Sequence, residues 1–188
     1  MEQQSASLVD KCLIATPAIK DPIFASSLVY MCEHSENGSM GLVVNHETTQ
    51  VLDDVFRQLD IVCEDELIRN QPVYIGGPVQ LEQGFVLHSQ AGHWQNSVEI
   101  ANGINLTSSL DILQAIADGK GPQDYLVILG FSGWASGQLE SELQQNSWLT
   151  STCDADLLFH QKPEDKWQVA FDSLGFDINM LSPVSGNA

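Results

Sequence analysis

Hydrophobic residues fall in short runs along the chain, and the period within each run predicts its element. Leu13–Thr16 is an apolar run stopped by Pro17. Leu28–Glu33 (LVYMCE) is dense in β-formers, and Gly41–Asn45 (GLVVN) follows it across Ser35-Glu36-Asn37-Gly38. An Asn-Gly pair takes positive φ at little cost, which predicts a hairpin between these two strands. Val73–Ile75 ends at Gly76-Gly77-Pro78. Phe85–His88 comes next, then Val98–Ala101 and Ile104–Thr107, joined by a second Asn-Gly pair at Asn102-Gly103. Tyr125–Leu129 is a continuous apolar run of the kind found in strands buried on both faces. Leu157–Phe159 is a weaker late strand.

Helical spacing appears between these runs. Val51, Leu52, Val55, Phe56 and Leu59 form one stripe. Leu110, Leu113, Ile116 and Ala117 form another, opened by Ser108 with Asp111 three residues on, a capping-box pattern. Leu139 and Leu143 mark a helix after Trp134. Pro163–Leu174 has Pro at its start, Glu164 and Asp165 in the first turn, and a stripe of Trp167, Ala170, Phe171 and Leu174, read as core rather than a cofactor stack. Hairpins early and mid-chain with helices scattered between them predict an α+β fold rather than a doubly wound sheet. No repeat and no shift in composition marks a boundary, so residues 1–188 read as a single domain.

Charge narrows the function. The 188 residues carry 25 Asp and Glu against 7 Lys and Arg, a formal charge of −18. At most seven carboxylates can pair one-to-one with a base, and the rest repel one another. Seven scattered bases build no phosphate-neutralising patch, so direct nucleic-acid binding is disfavoured, and so is an anionic membrane surface. The start carries Glu2 and no basic n-region, and no run approaches the ~20 apolar residues of a membrane span. A cytoplasmic location is expected. Cys12, Cys32, Cys63 and Cys153 show no framework spacing and are expected to be free thiols.

Candidate chemistry is sparse. Gly130-Phe131-Ser132-Gly133 follows a buried strand and precedes a helix, the setting of a nucleophile elbow. That elbow needs Gly two residues after the Ser, where Trp134 stands, so a tight strand-to-helix turn is the preferred reading. Gly76-Gly77-Pro78 lacks the residues of a phosphate loop. Cys32 and His34 share a strand face, but no second pair of zinc ligands accompanies them. Cys153-Asp154-Ala155-Asp156 lacks the Gly and distal Glu of a calcium loop. No cofactor and no metal are expected.

Several strings in order carry a resemblance. They are Ala15-Thr16-Pro17 with Asp21-Pro22-Ile23-Phe24, Val29 through His34, and Asn37 through Asn45. Gly76-Gly77-Pro78-Val79, Gly84 through His88, and Leu129 through Trp134 with Gly137-Gln138-Leu139-Glu140 come next. Asn146-x-Trp148-Leu149 and Lys166-Trp167 complete the set. In this order they closely resemble the AlgH/YqgE family of bacterial proteins, from about residue 12 to the end. The resemblance implies a cytosolic protein with no established activity or cofactor and no catalytic residues to carry over. It also implies a suggested role as a regulator of alginate synthesis. The implied fold is a complex, mixed, partly closed barrel-like β-sheet with helices packed around it.

Two functions are expected. The first is a regulatory or protein-interaction module with a protein partner; the alternative is a small-ligand-binding protein or an enzyme. Asn45, Gly77, Ser132 and Trp134 form the candidate ligand cluster. His34 is left out, because the hairpin puts it about four residue pairs from Asn45, ~14 Å at ~3.4 Å per residue. The competing reading of the cluster is that Asn45 bonds local backbone and Trp134 is core.

Overall fold

A strand in mid-sheet that changes partners along its length organises the molecule. The computed structural model describes residues 7–90 and 92–175. That strand is β9 (Tyr125–Ala135); the others are β1 (Lys11–Ala15), β2 (Leu28–Ser35), β3 (Gly38–Val43), β4 (Glu47–Val51), β5 (Pro72–Ile75), β6 (Val79–Ser89), β7 (Ser97–Ala101), β8 (Ile104–Thr107) and β10 (Trp148–Thr152). The sheet order is β10-β1-β2-β3-β9-β6-β8-β7, with β4 and β5 on a branch. Residues 127–129 of β9 pair in parallel with β5, and residues 125–131 run antiparallel to β6. Residues 132–135 pair with β3 instead. The change of partner falls at Gly130, whose φ is +70° and where a Cβ would lie 2.7 Å from the Gly77 carbonyl oxygen. Only glycine meets both demands cheaply.

The sheet therefore curls into a half-barrel. Asp10, just before β1, accepts hydrogen bonds from the Tyr30 hydroxyl on β2 (2.8 Å) and from Asn102 Nδ2 (2.6 Å) at the tip of the β7–β8 hairpin, and so links the β1–β2 side of the curl to the opposite edge. Inside the curl sit Tyr30, Leu42, Ile128, Leu158 and Phe171. The helices are α1 (Leu52–Gln58), α2 (Glu66–Arg69), α3 (Leu110–Ala117), α4 (Gln138–Gln144) and α5 (Pro163–Asp172), with a π-helical turn at Asp156–His160. Helices α1 and α3 cover one outer face over Val73, Val86 and Val127, and α4 covers another beside Met31, Trp134 and Trp148. Leu139 anchors α4 with no exposure, a burial that contributes ~1.5–3 kcal/mol. Helix α5 is pinned from inside: Trp167 Nε1 donates to the Ala15 carbonyl at 2.9 Å.

The observed architecture is the mixed, curled, partly closed sheet with surrounding helices that the family resemblance implied. The hairpin β2–β3 forms, but its two turn residues are Glu36 and Asn37, and of the Asn-Gly pair only Gly38 has positive φ. At Asn102-Gly103 both residues do, at 52° and 79°.

Several expectations are corrected. Gly130–Trp134 is no strand-to-helix turn; the strand runs on to Ala135, because residues 132–135 find a second partner in β3. Leu157–Phe159 lies in the π-helical turn, whose Leu157 N–H is capped by Asp154 Oδ1 at 2.8 Å. The N-cap of helix α3 is Ser109, not Ser108, so the box at Ser108 does not form; Asp111 Oδ2 instead accepts from the Gln95 N–H at 2.9 Å. Cys32 and His34 do not share a face, because a bulge interrupts the β2–β3 register between Met31 and Glu33. Cys32 points into the inner core, while His34 Nε2 lies 2.9 Å from Glu140 on α4. The four thiols are not all free: Cys12 and Cys153 are joined in a disulfide, leaving Cys32 and Cys63. The β1–β10 register sets Lys11 opposite Thr152 and so brings the two cysteines together, which spacing along the chain does not reveal.

Candidate docking site

The four residues of the expected ligand cluster have separate engagements. Asn45 Oδ1 accepts from the Leu28 N–H at 2.8 Å and its Nδ2 donates to the Ser26 carbonyl at 2.9 Å, so its amide fastens the turn before β2. Ser132 is fully buried and donates to the Gly76 carbonyl at 2.9 Å. Gly77 packs against it: a Cβ there would lie 2.4 Å from Ser132 Oγ. Trp134 Nε1 donates to Glu142 Oε2 at 2.9 Å, and Trp148 Nε1 donates to the same oxygen at 2.8 Å. The fold thus brings Gly77 and Ser132 together and gives Asn45 and Trp134 other partners.

A different place offers open apolar surface. Residues 80–83 of β6 arch away from β9, for Val79 pairs with Phe131 and the next pair is Gly84 with Leu129. Gln80 takes φ +47° to make this arch. Between the arch, α1 and α3 lies a cavity of about 260 Å³. Its floor is Val55, Val86, Leu113 and Val127, and Glu82 and Gln83 stand on its wall. None of Asn45, Gly77, Ser132 and Trp134 lines it. Leu59 and Leu110 line it too and are 37% and 61% exposed. Val62 and Leu67, before and on the neighbouring α2, are 77% and 83% exposed. Sequence periodicity puts Leu59 and Leu110 in core stripes. They lie at the edges of those stripes, and exposure at a stripe edge has no signature in spacing alone.

The helices around the cavity are held by carboxylates. Asp54 Oδ2 accepts from the Val51 N–H at 3.0 Å and closes the first turn of α1. Asp53 pairs with Arg57 on the same helix and with Arg69 Nε on α2 at 2.7 Å. The Arg69 hydrogen bond holds the Asp53 carboxyl below the ordinary aspartate range. At the start of α3, burial pushes Asp111 up, but hydrogen bonds from Ser109 and from the Gln95 and Ile112 N–H groups outweigh it and bring it down. Arg57 and Arg69 are offset in number by Asp53 and Asp54, which leaves Glu82 on the cleft wall and Asp111 at the start of α3 as the excess charge. The field there favours a cationic visitor.

Sequence reasoning assigns no role to Lys166. It is 1% exposed, and its Nζ donates to the Val44 carbonyl at 2.9 Å and the Leu158 carbonyl at 2.6 Å, 5.5 Å from the centre of the Tyr74 ring. Burial lowers its pKa to about 8, partly opposed by Glu47. This ammonium ties α5 and the π-helical turn to the end of β3. Among the described residues, no group of three or more His, Cys, Asp or Glu is arranged to hold a metal ion. No described helix is long and apolar enough to cross a membrane.

The chain resembles known proteins over nearly its whole length. A UPF0301 protein of Xanthomonas campestris pv. campestris is 48% identical over 181 residues, 96% of each chain. One from Nitrosospira multiformis is 46% identical, covering 98% of this chain and 100% of that one. Among solved structures, AlgH of Pseudomonas aeruginosa matches at TM-score 0.80 and 39% identity over 100% of both chains. A Corynebacterium diphtheriae protein at 20% identity and TM-score 0.73 shares the fold, covering 97% of this chain and 94% of that one. The AlgH-like family model matches residues 12–179. With a shared curl of sheet, near-complete coverage and this identity, the chain belongs to the AlgH-like family.

Proposed function

We propose that the protein is a protein-interaction module with a regulatory role, and that the cleft between α1, α3 and the β6 arch is where its partner docks. The observation that carries this reading is an apolar cavity flanked by two exposed leucines, Leu59 and Leu110. Exposed apolar side chains around a recess mark interaction sites more often than chance placement does. The partner segment is apolar with interspersed Lys or Arg, since this chain carries −18 and charge complementarity speeds and orients encounter. A small ligand is the competing reading. At about 260 Å³ the cavity falls below the ~300 Å³ at which ligand pockets begin, and it suits one or two anchoring side chains better.

Selection from a random displayed-peptide library tests this. The protein is expected to enrich peptides with two or three apolar residues at helical spacing and an excess of Lys and Arg. A Leu59→Glu, Leu110→Glu double variant should bind them at least tenfold more weakly while keeping its melting temperature. Peptides that bind the double variant equally, or no enrichment at all, would sink the reading.

A further inference from the structure

We propose that Cys12 and Cys153 form a reversible redox tether that sets how firmly the π-helical turn and α5 are held against the sheet. The two cysteines lie 141 residues apart in sequence with Cα atoms 5.5 Å apart, within the usual span of a disulfide. Cys12 is wholly buried on β1; Cys153 is half-buried directly after the edge strand β10. The segment from Asp154 onward is the unit to be held. Asp154 caps the π-helical turn, Leu158 receives the Lys166 ammonium, and Trp167 reaches Ala15 on the same strand as Cys12. The disulfide fastens the upstream end of this unit, and Lys166 and Trp167 fasten its helix. Breaking the bridge removes the covalent fastening and leaves the polar ones.

The chemistry needs a reductant, and a small cellular thiol of the glutathione class supplies it. Its thiolate attacks Sγ of Cys153, the half-buried member of the pair, Cys12 being wholly buried. A mixed disulfide forms on Cys153, and the Cys12–Cys153 bond breaks with its electron pair leaving on Cys12 Sγ, which takes a proton. A second thiolate attacks the small-molecule sulfur of the mixed disulfide and releases Cys153 as a thiol. Two small thiols become one small disulfide, and one protein disulfide becomes two protein thiols. Oxidation by the small disulfide runs the same steps backwards. Cys32 takes no part: burial pushes its thiol pKa well up, so it supplies little thiolate.

The test equilibrates the full chain in glutathione buffers of defined ratio, traps free thiols by alkylation and locates them by peptide mass spectrometry. Melting temperature and hydrogen exchange are read on the same samples. The oxidised protein is expected to expose two thiols on denaturation, Cys32 and Cys63, and the reduced protein four. Reduction should lower the melting temperature by ~4–16 °C. It should also speed exchange across residues 154–172 at least tenfold while β2 and β3 stay protected. Cys153→Ser should behave as the reduced form in either buffer; should it fail to fold, the reduced natural chain supplies the same comparison. Four free thiols in excess glutathione disulfide, or exchange across residues 154–172 equal in both states, would overturn the proposal.

Discussion

Lys166 is the residue at which burial and charge most directly compete. Its two carbonyl acceptors satisfy the ammonium, yet taking it out of water still lowers its pKa to about 8 from an ordinary 10.5. Between those values the unfolded chain binds more protons than the folded one, so stability rises with pH across that window. Between pH 7.5 and pH 9 the Lys166 contribution should grow by about 1 kcal/mol. Urea unfolding at the two pH values checks this against Lys166→Arg, whose guanidinium keeps its charge throughout and should remove the rise. Higher up the sign reverses. Burial raises the pKa of Cys32, Tyr30 and Tyr74, and pushes Tyr125 up to about 12. Above about pH 9 the unfolded chain sheds those protons first, and stability falls. Lys166 was legible in the sequence only as part of a Lys-Trp pair, because nothing local announces that a lysine 122 residues from Val44 will point inward.

At the scale of elements, β9 and β6 depart furthest from their local signals. An apolar run ending in glycine looks like the end of a strand, and for a single sheet it would be. Here Gly130 is the bend that lets one strand serve two sets of partners, and the extra residues of β6 opposite it make the wall of the cleft. Gly130→Ala should therefore cost about 2–4 kcal/mol, combining a positive φ with a close approach to the Gly77 carbonyl. Gly119 separates the two effects: its φ is +69° but nothing lies within 4 Å of a Cβ there. Gly119→Ala should cost about 1–2 kcal/mol, the backbone part alone. Equal shifts in urea midpoint for the two variants would show that the close approach at Gly130 has no energetic weight. The hairpins and the stripes of α1, α3 and α5 were legible because their signals are local. Strand β4 carries polar Glu47, Thr48 and Gln50 and exists through pairing with β5, and β10 exists through pairing with β1, so neither announced itself.

For the whole molecule the governing quantity is charge. Of seven bases, Arg57 and Arg69 share Asp53 and Lys166 is interior, so few remain to offset the chain's 25 acidic residues. Screening weakens carboxylate repulsion over ~10 Å at 0.1 M salt. The melting temperature should rise by several degrees between about 10 mM and 500 mM NaCl, and a scanning fluorescence series would register it. A flat or falling series would mean that repulsion is already relieved within the fold. The same imbalance leads us to expect no shift of DNA mobility at micromolar protein and physiological salt; a submicromolar, sequence-selective shift would contradict it.

By itself the sequence determined the α+β class, both hairpins, the main helical stripes, the family and the sign of the surface field. These depend on neighbours a few residues apart or on totals over the chain. Tertiary structure alone decided that Asp10 links the β1–β2 side of the curl to the β7–β8 hairpin, that Cys12 meets Cys153, that Lys166 turns inward, and that Leu59 and Leu110 flank a cavity while Asn45 and Trp134 bond elsewhere. Most of these join residues 20 to 141 positions apart, or depend on which edge of a stripe stays uncovered. Spacing along a chain fixes which residues share a face, and only packing fixes what that face meets.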